Sequence, residues 1–260
     1  MSGIDNSKIK IYSPEKQGYG EFDNAKITEI KPIDFPGGTS EAKRIGPLFY
    51  WSWASAKGDG IISMHPHQAF EIISYVLEGE IGHSDSLGNK TRVGAGGAQL
   101  IQAGSGIYHQ EEMYGQITEF FQIWFEPNLN ETIHNDPKYI QLTHNQFPEI
   151  IKNGVTLKNI IGEKSPLKIV ADVKMNDVTI NDGSEYQINL PSNKVLAAVN
   201  VSGKGNIKVG DEVKNIFMKD YFVIKGDGIN EIFIVPEKGE FLRIISVEVP
   251  EKVEYKLYPN

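Results

Sequence analysis

Cysteine is absent from this sequence of 260 residues. Its absence excludes disulfide bonds, thiolate catalysis and zinc sites held by cysteine. Long apolar runs are missing too. No apolar segment follows the first residues, Met1 to Asp5, and no stretch reaches the roughly eighteen apolar residues of a membrane span. From these two absences we expect a cytoplasmic protein that does not contact a membrane.

Positive charge is also in short supply. Lysine and arginine together number 26 against 34 aspartate and glutamate residues, which gives a formal net charge of -8 at pH 7. Proteins that bind nucleic acid generally carry a basic patch, so we expect no direct contact with DNA or RNA. The composition is otherwise that of an ordinary globular protein, and the length fits one large domain or two of ordinary size.

Histidine is missing from the second half of the chain. All six histidines lie before residue 145, and none occurs between residues 145 and 260. If the two halves are duplicates of one another, only the first half keeps a site built on imidazole.

Two pairs of metal-ligand side chains stand out in the first half. His65 and His67 flank Pro66, and His109 is followed two residues later by Glu111. Because a β-strand alternates its side chains between two faces, residues at i and i+2 point the same way. Two such strands lining one barrel interior would bring three imidazoles and a carboxylate together. That donor set suits a single first-row transition metal: iron, nickel, copper, manganese or zinc.

The hydrophobic pattern predicts many short strands separated by glycine turns, which is typical of an all-β sandwich or barrel. In the first half we expect a turn at Glu78-Gly79-Glu80 and another at Asp85–Asn89. We expect His83, beside the second turn, to lie on the surface, with a place in the pocket as the alternative. Residues 127–150 resemble a linker with a helical turn. A second set of strands then begins near Val155, and its clearest members are Lys168–Val173, Tyr186–Leu190, Val195–Val201, Asn206–Val209, Tyr221–Ile224, Glu231–Val235 and Phe241–Val249.

Motifs over residues 60–126 resemble the pirin branch of the cupin family. They are His65-Pro66-His67 with Phe70-Glu71, Tyr75–Gly79, His83–Asn89, Ala103–Glu111 and Gln122-Ile123-Trp124. The resemblance implies an all-β fold of two cupin-type barrels, each a double-stranded β-helix or jelly roll, in one chain. It implies an N-terminal barrel (1–135) with the metal site, and a cupin-like C-terminal barrel (150–260) without metal ligands.

The resemblance also assigns the site. It implies one mononuclear metal, with iron as the first expectation, on His65, His67, His109 and Glu111. In many other cupins the carboxylate comes from the first motif, here Glu71. Glu71 is therefore either a competing ligand, a residue that orients an imidazole, or a charge at a strand end.

Other residues are candidates for the pocket around the metal. Aromatic side chains that could wall the cavity are Trp51, Trp53, Phe70, Tyr75 and Trp124. For Trp51, Trp53 and Trp124 the alternative interpretation is ordinary core packing. Gln122 shares its strand parity with Trp124, so both could face the cavity.

Three functions remain open at this level. The first is an oxygenase like the quercetin 2,3-dioxygenases, acting on an aromatic flavonol or similar enol, with Glu111 as ligand and catalytic proton acceptor. The second is an iron-dependent, redox-sensing regulator that binds a protein partner, and the third is a metal-free scaffold. The chain departs from the usual pirin pattern at Gln68-Ala69, where pirins have Arg-Gly, and so lacks a positive charge near the site.

Overall fold

The computed structural model describes residues 7–228 and 231–259, and these form an almost purely β structure. The expectation of an all-β chain is therefore confirmed. In chain order the strands are β1 (Ile9–Tyr12), β2 (Gly18–Phe22), β3 (Ile27–Ile33), β4 (Leu48–Lys57), β5 (Gly60–His67), β6 (Glu71–Asp85), β7 (Lys90–Gly94), β8 (Ala98–Gln102), β9 (Ile107–Phe125), β10 (Lys138–Leu142), β11 (Glu149–Lys152), β12 (Val155–Ile161), β13 (Lys174–Ile180), β14 (Tyr186–Ile188), β15 (Lys194–Ser202), β16 (Gly205–Val209), β17 (Glu212–Ile216), β18 (Tyr221–Lys225), β19 (Ile232–Pro236) and β20 (Leu242–Pro250).

Helices are short and few among the described residues. One α-helix, α1 (Leu129–Thr132), lies in the predicted linker, and 3₁₀ turns occur at Pro14–Lys16 and His144–Gln146. The linker is more ordered than predicted, since it also contains β10 and β11. None of the helices in the described ranges has the length and apolar character needed to cross a membrane.

The chain divides into two compact units. The histidine-bearing unit consists of residues 15–147, 165–172 and 253–259, and its sheet has the strand order β10-β8-β6-β9-β4-β3-β2, with β5 paired to β9 and β7 paired to β6. The histidine-free unit consists of residues 7–14, 148–164 and 173–252 without 229 and 230. It contains one sheet of order β1-β18-β15-β20-β13-β12-β11 and another of order β14-β19-β16-β17.

These units are not the contiguous ranges 1–135 and 150–260 expected from the sequence. Strand β1 pairs antiparallel with β18, so residues 7–14 belong to the histidine-free unit. Conversely, residues 165–172 belong to the histidine-bearing unit. The predicted strand at Lys168–Val173 is wrong, because the N–H groups of Val170 and Ala171 donate to the Glu71 carboxylate, at 2.7 and 2.9 Å, rather than to a neighbouring strand.

The buried carboxylate of Glu126 also ties residues 253–259 to the rest of the histidine-bearing unit. Glu126 is fully buried, and its carboxylate accepts hydrogen bonds from Arg44 and from the backbone N–H of Tyr258. Removing either donor would leave a buried carboxylate short of partners, which is costly in free energy. Residues 253–259 are therefore a structural part of this unit.

Apolar side chains fill the interior of the histidine-free unit. Its core cluster includes Ile207, Phe222 and Ile244, all with no exposed surface.

Two long strands form the centre of the histidine-bearing unit. Strand β6 runs from Glu71 through Asp85 and pairs with the still longer β9. The predicted turn at Glu78-Gly79-Glu80 is instead a bulge inside β6, where the register shifts on both sides of Glu78. Gly79 has φ 75°, and a Cβ added there would lie 2.5 Å from the carbonyl oxygen of Ile117. Glycine is required at this bulge by both conformation and space.

We expect Gly79→Ala to lower the free energy of unfolding by about 2–4 kcal/mol, since left-handed backbone strain adds to a backbone clash. Gly88→Ala is the matched control, because Gly88 has φ 91° but nothing within 4 Å of an added Cβ. The control should lose only about 1 kcal/mol. Chemical denaturation of both variants measures the difference, and equal losses would contradict the role assigned to close packing at Gly79.

Candidate metal centre

The register of β5 on β9 brings the histidines together. His65 lies opposite His109, and His67 lies opposite Ile107, after a register shift between Ile62 and His65. Proline has no N–H to donate to a ladder, yet Pro66 is accommodated because β5 is bonded to a single neighbour, β9. The pair His65 and His67 on β5 thus faces His109 on β9.

The three imidazoles form a compact cluster. Their ring centroids are separated by 4.4 Å for His65 and His109, 4.7 Å for His65 and His67, and 4.8 Å for His67 and His109. One ligand nitrogen from each ring lies within 4.8 Å of the other two. Three imidazole nitrogens at this separation can converge on one ion.

The hydrogen bonds leave ring nitrogens available for a metal. The Nδ1 of His65 donates to the carbonyl oxygen of Ser63 at 2.8 Å, which leaves its Nε2 lone pair free. The Nε2 atoms of His67 and His109 are buried and have no hydrogen-bond partner among the described residues. Buried polar atoms normally find a partner, so these orphaned nitrogens fit a metal ligand set.

The protonation state fits as well. Burial, reinforced by neighbouring imidazoles, lowers the pKa of His67 to about 3 and that of His109 to about 2. Both rings are neutral at pH 7, and neutral imidazole is the form that binds metals.

Glu111 lines the same cavity as His65 and His67. Its side chain is buried, its Oε1 accepts from the Ser74 hydroxyl at 3.1 Å, and both its oxygens accept from Gln122 Nε2 at 3.0 Å. Burial is the main cause that raises the pKa of this carboxyl. The structure therefore places a carboxyl group with a raised pKa beside the histidines, held by two neutral donors.

Glu71 lies elsewhere. Its carboxylate accepts from the N–H groups of Val170 and Ala171 and from Gln102 Nε2 at 2.6 Å, and it lines a second, smaller pocket. The suggestion that Glu71 binds the metal or orients an imidazole is wrong. Its carboxylate is occupied in fixing residues 165–172, and burial raises its pKa.

A cavity of about 370 Å³ opens beside the histidines and Glu111. Gln122 and Trp124 both line it, as their shared parity predicts, and Trp124 packs edge-on against His67 with 4.8 Å between ring centroids. The indole N–H of Trp124 donates to Gln122 Oε1 at 2.9 Å. Gln122 thus links Trp124 to Glu111.

Four of the predicted wall residues do not line this cavity. Ser52 pairs with Gln122 and shares its face, so Trp51 and Trp53 point to the opposite face of β4 and pack edge-on against Phe121. Tyr75 is also turned away, because its neighbour Ser74 faces Glu111. The remaining residue, Phe70, stacks on Phe49 and contacts the ring of Trp124 with 5.7 Å between ring centroids, but it does not line the cavity.

The actual wall of the cavity includes residues that the sequence did not single out. Tyr50 lines it and donates to both oxygens of Glu29, at 3.1 and 3.2 Å, and Lys31 Nζ lies 3.2 Å from the same carboxylate. Phe35 stacks on Tyr50 with ring centroids 4.1 Å apart. The alternation Tyr50-Trp51-Ser52-Trp53 indicates that Tyr50 and Ser52 share one face of β4 and the two tryptophans the other. Which of the two faces lines the cavity depends on the register of β4 on β9, and the sequence does not show that register.

His83 is another correction. We expected a surface residue, but His83 is only 2% exposed. Its Nε2 lies 2.8 Å from Asp85 Oδ2, and its Nδ1 lies 3.4 Å from His109 Nδ1. The i, i+2 spacing of His83 and Asp85 on β6 was the signal that could have identified it.

The departure at Gln68-Ala69 has a backbone consequence. Ala69 adopts φ 75°, a conformation that favours glycine, the residue that pirins usually have at this place. Gln68 is exposed and donates to the carbonyl oxygen of Ser105 at 3.3 Å. The loop therefore keeps the glycine-type conformation without the glycine.

Comparisons with known proteins assign the segment around the cluster to a family. The Pirin family model matches residues 51–125, the segment that carries every histidine of the cluster. A Pseudomonas aeruginosa protein provisionally named a quercetin 2,3-dioxygenase is 37% identical over 168 residues, which cover 63% of this chain and 69% of that protein. Pirin-like protein 2 of Arabidopsis thaliana is 33% identical over 64% of this chain, but the alignment spans only 53% of the plant protein.

Solved structures confirm the fold over nearly the whole chain. The bacterial pirin YhhW of Escherichia coli, in complex with nickel(II), superposes with a TM-score of 0.76 at 21% identity, covering 94% of this chain and 100% of that one. A quercetin 2,3-dioxygenase of Acinetobacter baumannii also gives 0.76 at 21% identity, covering 97% and 82%. The fold is that of a bicupin, and by family match and sequence identity the chain belongs to the pirin family.

Proposed function

We propose that this protein is a metal-dependent oxygenase that acts on a flavonol or a similar aromatic enol. The observation that carries the proposal is the juxtaposition of three free imidazole nitrogens, a buried carboxyl and an open, aromatic-walled cavity. Its volume falls within the roughly 300–1,000 Å³ that is typical of small-molecule sites. Names given to one relative and to one structural neighbour support the same chemistry.

His65, His67 and His109 would hold the metal, and iron is the ion we propose. Their neutral nitrogens add no charge, so a divalent ion keeps its Lewis acidity. When bound, such a metal polarises an enol oxygen and provides a site for dioxygen. Glu111 is proposed both to complete the ligand set and to take part in proton transfer.

The remaining steps belong to the protein's own side chains. Glu111 accepts the enol proton of the substrate, and Gln122 and Ser74 hold its carboxylate in place through their hydrogen bonds. A carboxyl whose pKa is raised is a stronger base than an ordinary one, once it is ionised. Trp124 and Phe35 present flat apolar surfaces that would orient an aromatic ring and exclude water.

Metal binding should depend on the histidine cluster. Metal in excess at about 100 times its dissociation constant stabilises a folded protein by about 2.7 kcal/mol, and we expect His65→Ala to lose this stabilisation. His134→Ala is the matched control, because His134 is exposed and outside the cluster. Elemental analysis and thermal unfolding with and without metal provide the measurement. Equal metal content in His65→Ala and wild type would overturn the site.

Turnover should depend on Glu111 and not on its neighbour. Glu111→Gln is expected to lower kcat about 10²–10⁴-fold, because the proton acceptor is removed at nearly constant shape. Glu112→Gln is the control, since Glu112 bonds Gln110 and Tyr114 away from the cavity. Loss of quercetin absorbance under air, with iron-, nickel-, copper- or manganese-loaded protein, gives the rate. No turnover by wild type with any of these metals would rule out flavonol oxidation.

A further inference from the structure

A chain of side chains continues behind the histidine cluster, on the side of His109 away from its free Nε2. Asp85 Oδ2 lies 2.8 Å from His83 Nε2, and His83 Nδ1 lies 3.4 Å from His109 Nδ1. His83 and His109 are both at least 98% buried, and the Asp85 side chain has no exposed surface. The contacts are therefore shielded from water.

The direction of each hydrogen bond follows from the carboxylate. An ionised Asp85 can only accept, so His83 must carry its proton on Nε2. Its Nδ1 is then a lone pair, and the 3.4 Å contact is a hydrogen bond only if His109 carries its proton on Nδ1. That tautomer leaves the Nε2 of His109 unprotonated, as a metal ligand requires.

Asp85 itself is firmly oriented. Its Oδ1 accepts from the backbone N–H groups of Leu87 and Asn89, at 2.9 and 3.0 Å, and its Oδ2 also accepts from Asn89 Nδ2 at 2.9 Å. These donors and the His83 hydrogen bond together lower the pKa of Asp85, so the carboxylate remains ionised at neutral pH. The turn that follows β6 thus serves as a fixed support for one carboxylate.

Packing fixes the ring plane of His83. Tyr139, on β10, stacks on it with ring centroids 3.9 Å apart and an interplanar angle of 6°. The hydroxyl of Tyr139 is in turn bonded to Thr91 at 2.6 Å and to Gln141 at 3.1 Å. His83 can therefore neither rotate freely nor be replaced by water without loss of these contacts.

We propose that Asp85 and His83 are positioning residues that set the tautomer of His109, so that its Nε2 lone pair is available to the metal. The inference rests on the metal site of the proposed function, and it extends that site by two residues. Outer hydrogen-bond partners of this type commonly change metal affinity about 10–100-fold. This relay, Asp85 and His83, acts through His109 and need not touch the substrate.

Asp85→Asn is the decisive variant. The two backbone N–H donors require an oxygen at the Oδ1 position, so the new amide NH₂ faces His83. The Asn89 amide, whose Nδ2 donates to the same position in the wild type, then turns its oxygen toward that NH₂. His83 must then accept at Nε2 and donate from Nδ1, which drives the proton of His109 onto Nε2. The metal-binding nitrogen is thereby blocked, although the shape of the site is nearly unchanged.

Two further variants serve as comparisons. Glu80→Gln removes one negative charge from the same strand, at a half-buried residue whose side chain is 43% exposed and pairs with Arg92, and leaves His83 untouched. His83→Phe preserves a flat ring against Tyr139 but cannot accept a hydrogen bond from His109. The His109 proton is then free to occupy either ring nitrogen, but it is not driven onto Nε2. The expected order of loss in metal affinity is Asp85→Asn, then His83→Phe, then Glu80→Gln.

The first measurement uses the metal-free protein and requires no turnover. Long-range proton–nitrogen NMR at neutral pH reports which ring nitrogen of each histidine is protonated. Wild type should show protonated Nδ1 in His109 and protonated Nε2 in His83, and Asp85→Asn should show both reversed. Protonated Nε2 in wild-type His109 would overturn the proposal.

The second measurement is metal affinity by competition with a chelator. Asp85→Asn should lose about 10–100-fold, and Glu80→Gln less than about threefold, because its charge is partly screened by solvent. Equal affinities of these two variants would also overturn the relay. Failure of wild type to oxidise a flavonol would refute the oxygenase proposal but leave the tautomer result standing, so the two ideas fail separately.

Discussion

The pairing of β5 with β9 is the constraint on which the candidate site depends. His65 meets His109 only because the register shifts between Ile62 and His65, and without that shift another residue of β5 would lie opposite His109. A slip of one residue turns every side chain of a strand to the other face. The long β9 then carries Glu111 and Gln122 further along the same wall, so one strand supplies an imidazole, a carboxyl and its amide donor.

Local alternation accounts for what the sequence predicted well. The i, i+2 spacing places His65 with His67, His109 with Glu111, and Gln122 with Trp124, on shared faces, and the structure shows each pair so arranged. Nothing in that argument required knowledge of a distant neighbour. The same applies to the all-β class, because short apolar runs and glycine turns are local signals.

Non-local contacts account for what was missed. The partner of Ser52 on β9 decides which face of β4 lines the cavity, and it turns Trp51 and Trp53 to the opposite, buried face. His83 is buried because Tyr139 from the supposed linker covers it, and Lys168–Val173 is not a strand because a distant carboxylate takes its N–H groups. Each error came from a contact between residues far apart in the chain.

Segments of the two units alternate along the chain, and this order limits where the protein can be truncated. The histidine-bearing unit includes residues 165–172, held by Glu71, and residues 253–259, held through the carboxylate of Glu126. No single cut in the chain releases this unit intact, since a fragment ending near residue 135 leaves two carboxylates, those of Glu71 and Glu126, without their backbone N–H donors from beyond the cut. The histidine cluster lies in the first half, but the fold that supports it needs the last residues of the described chain.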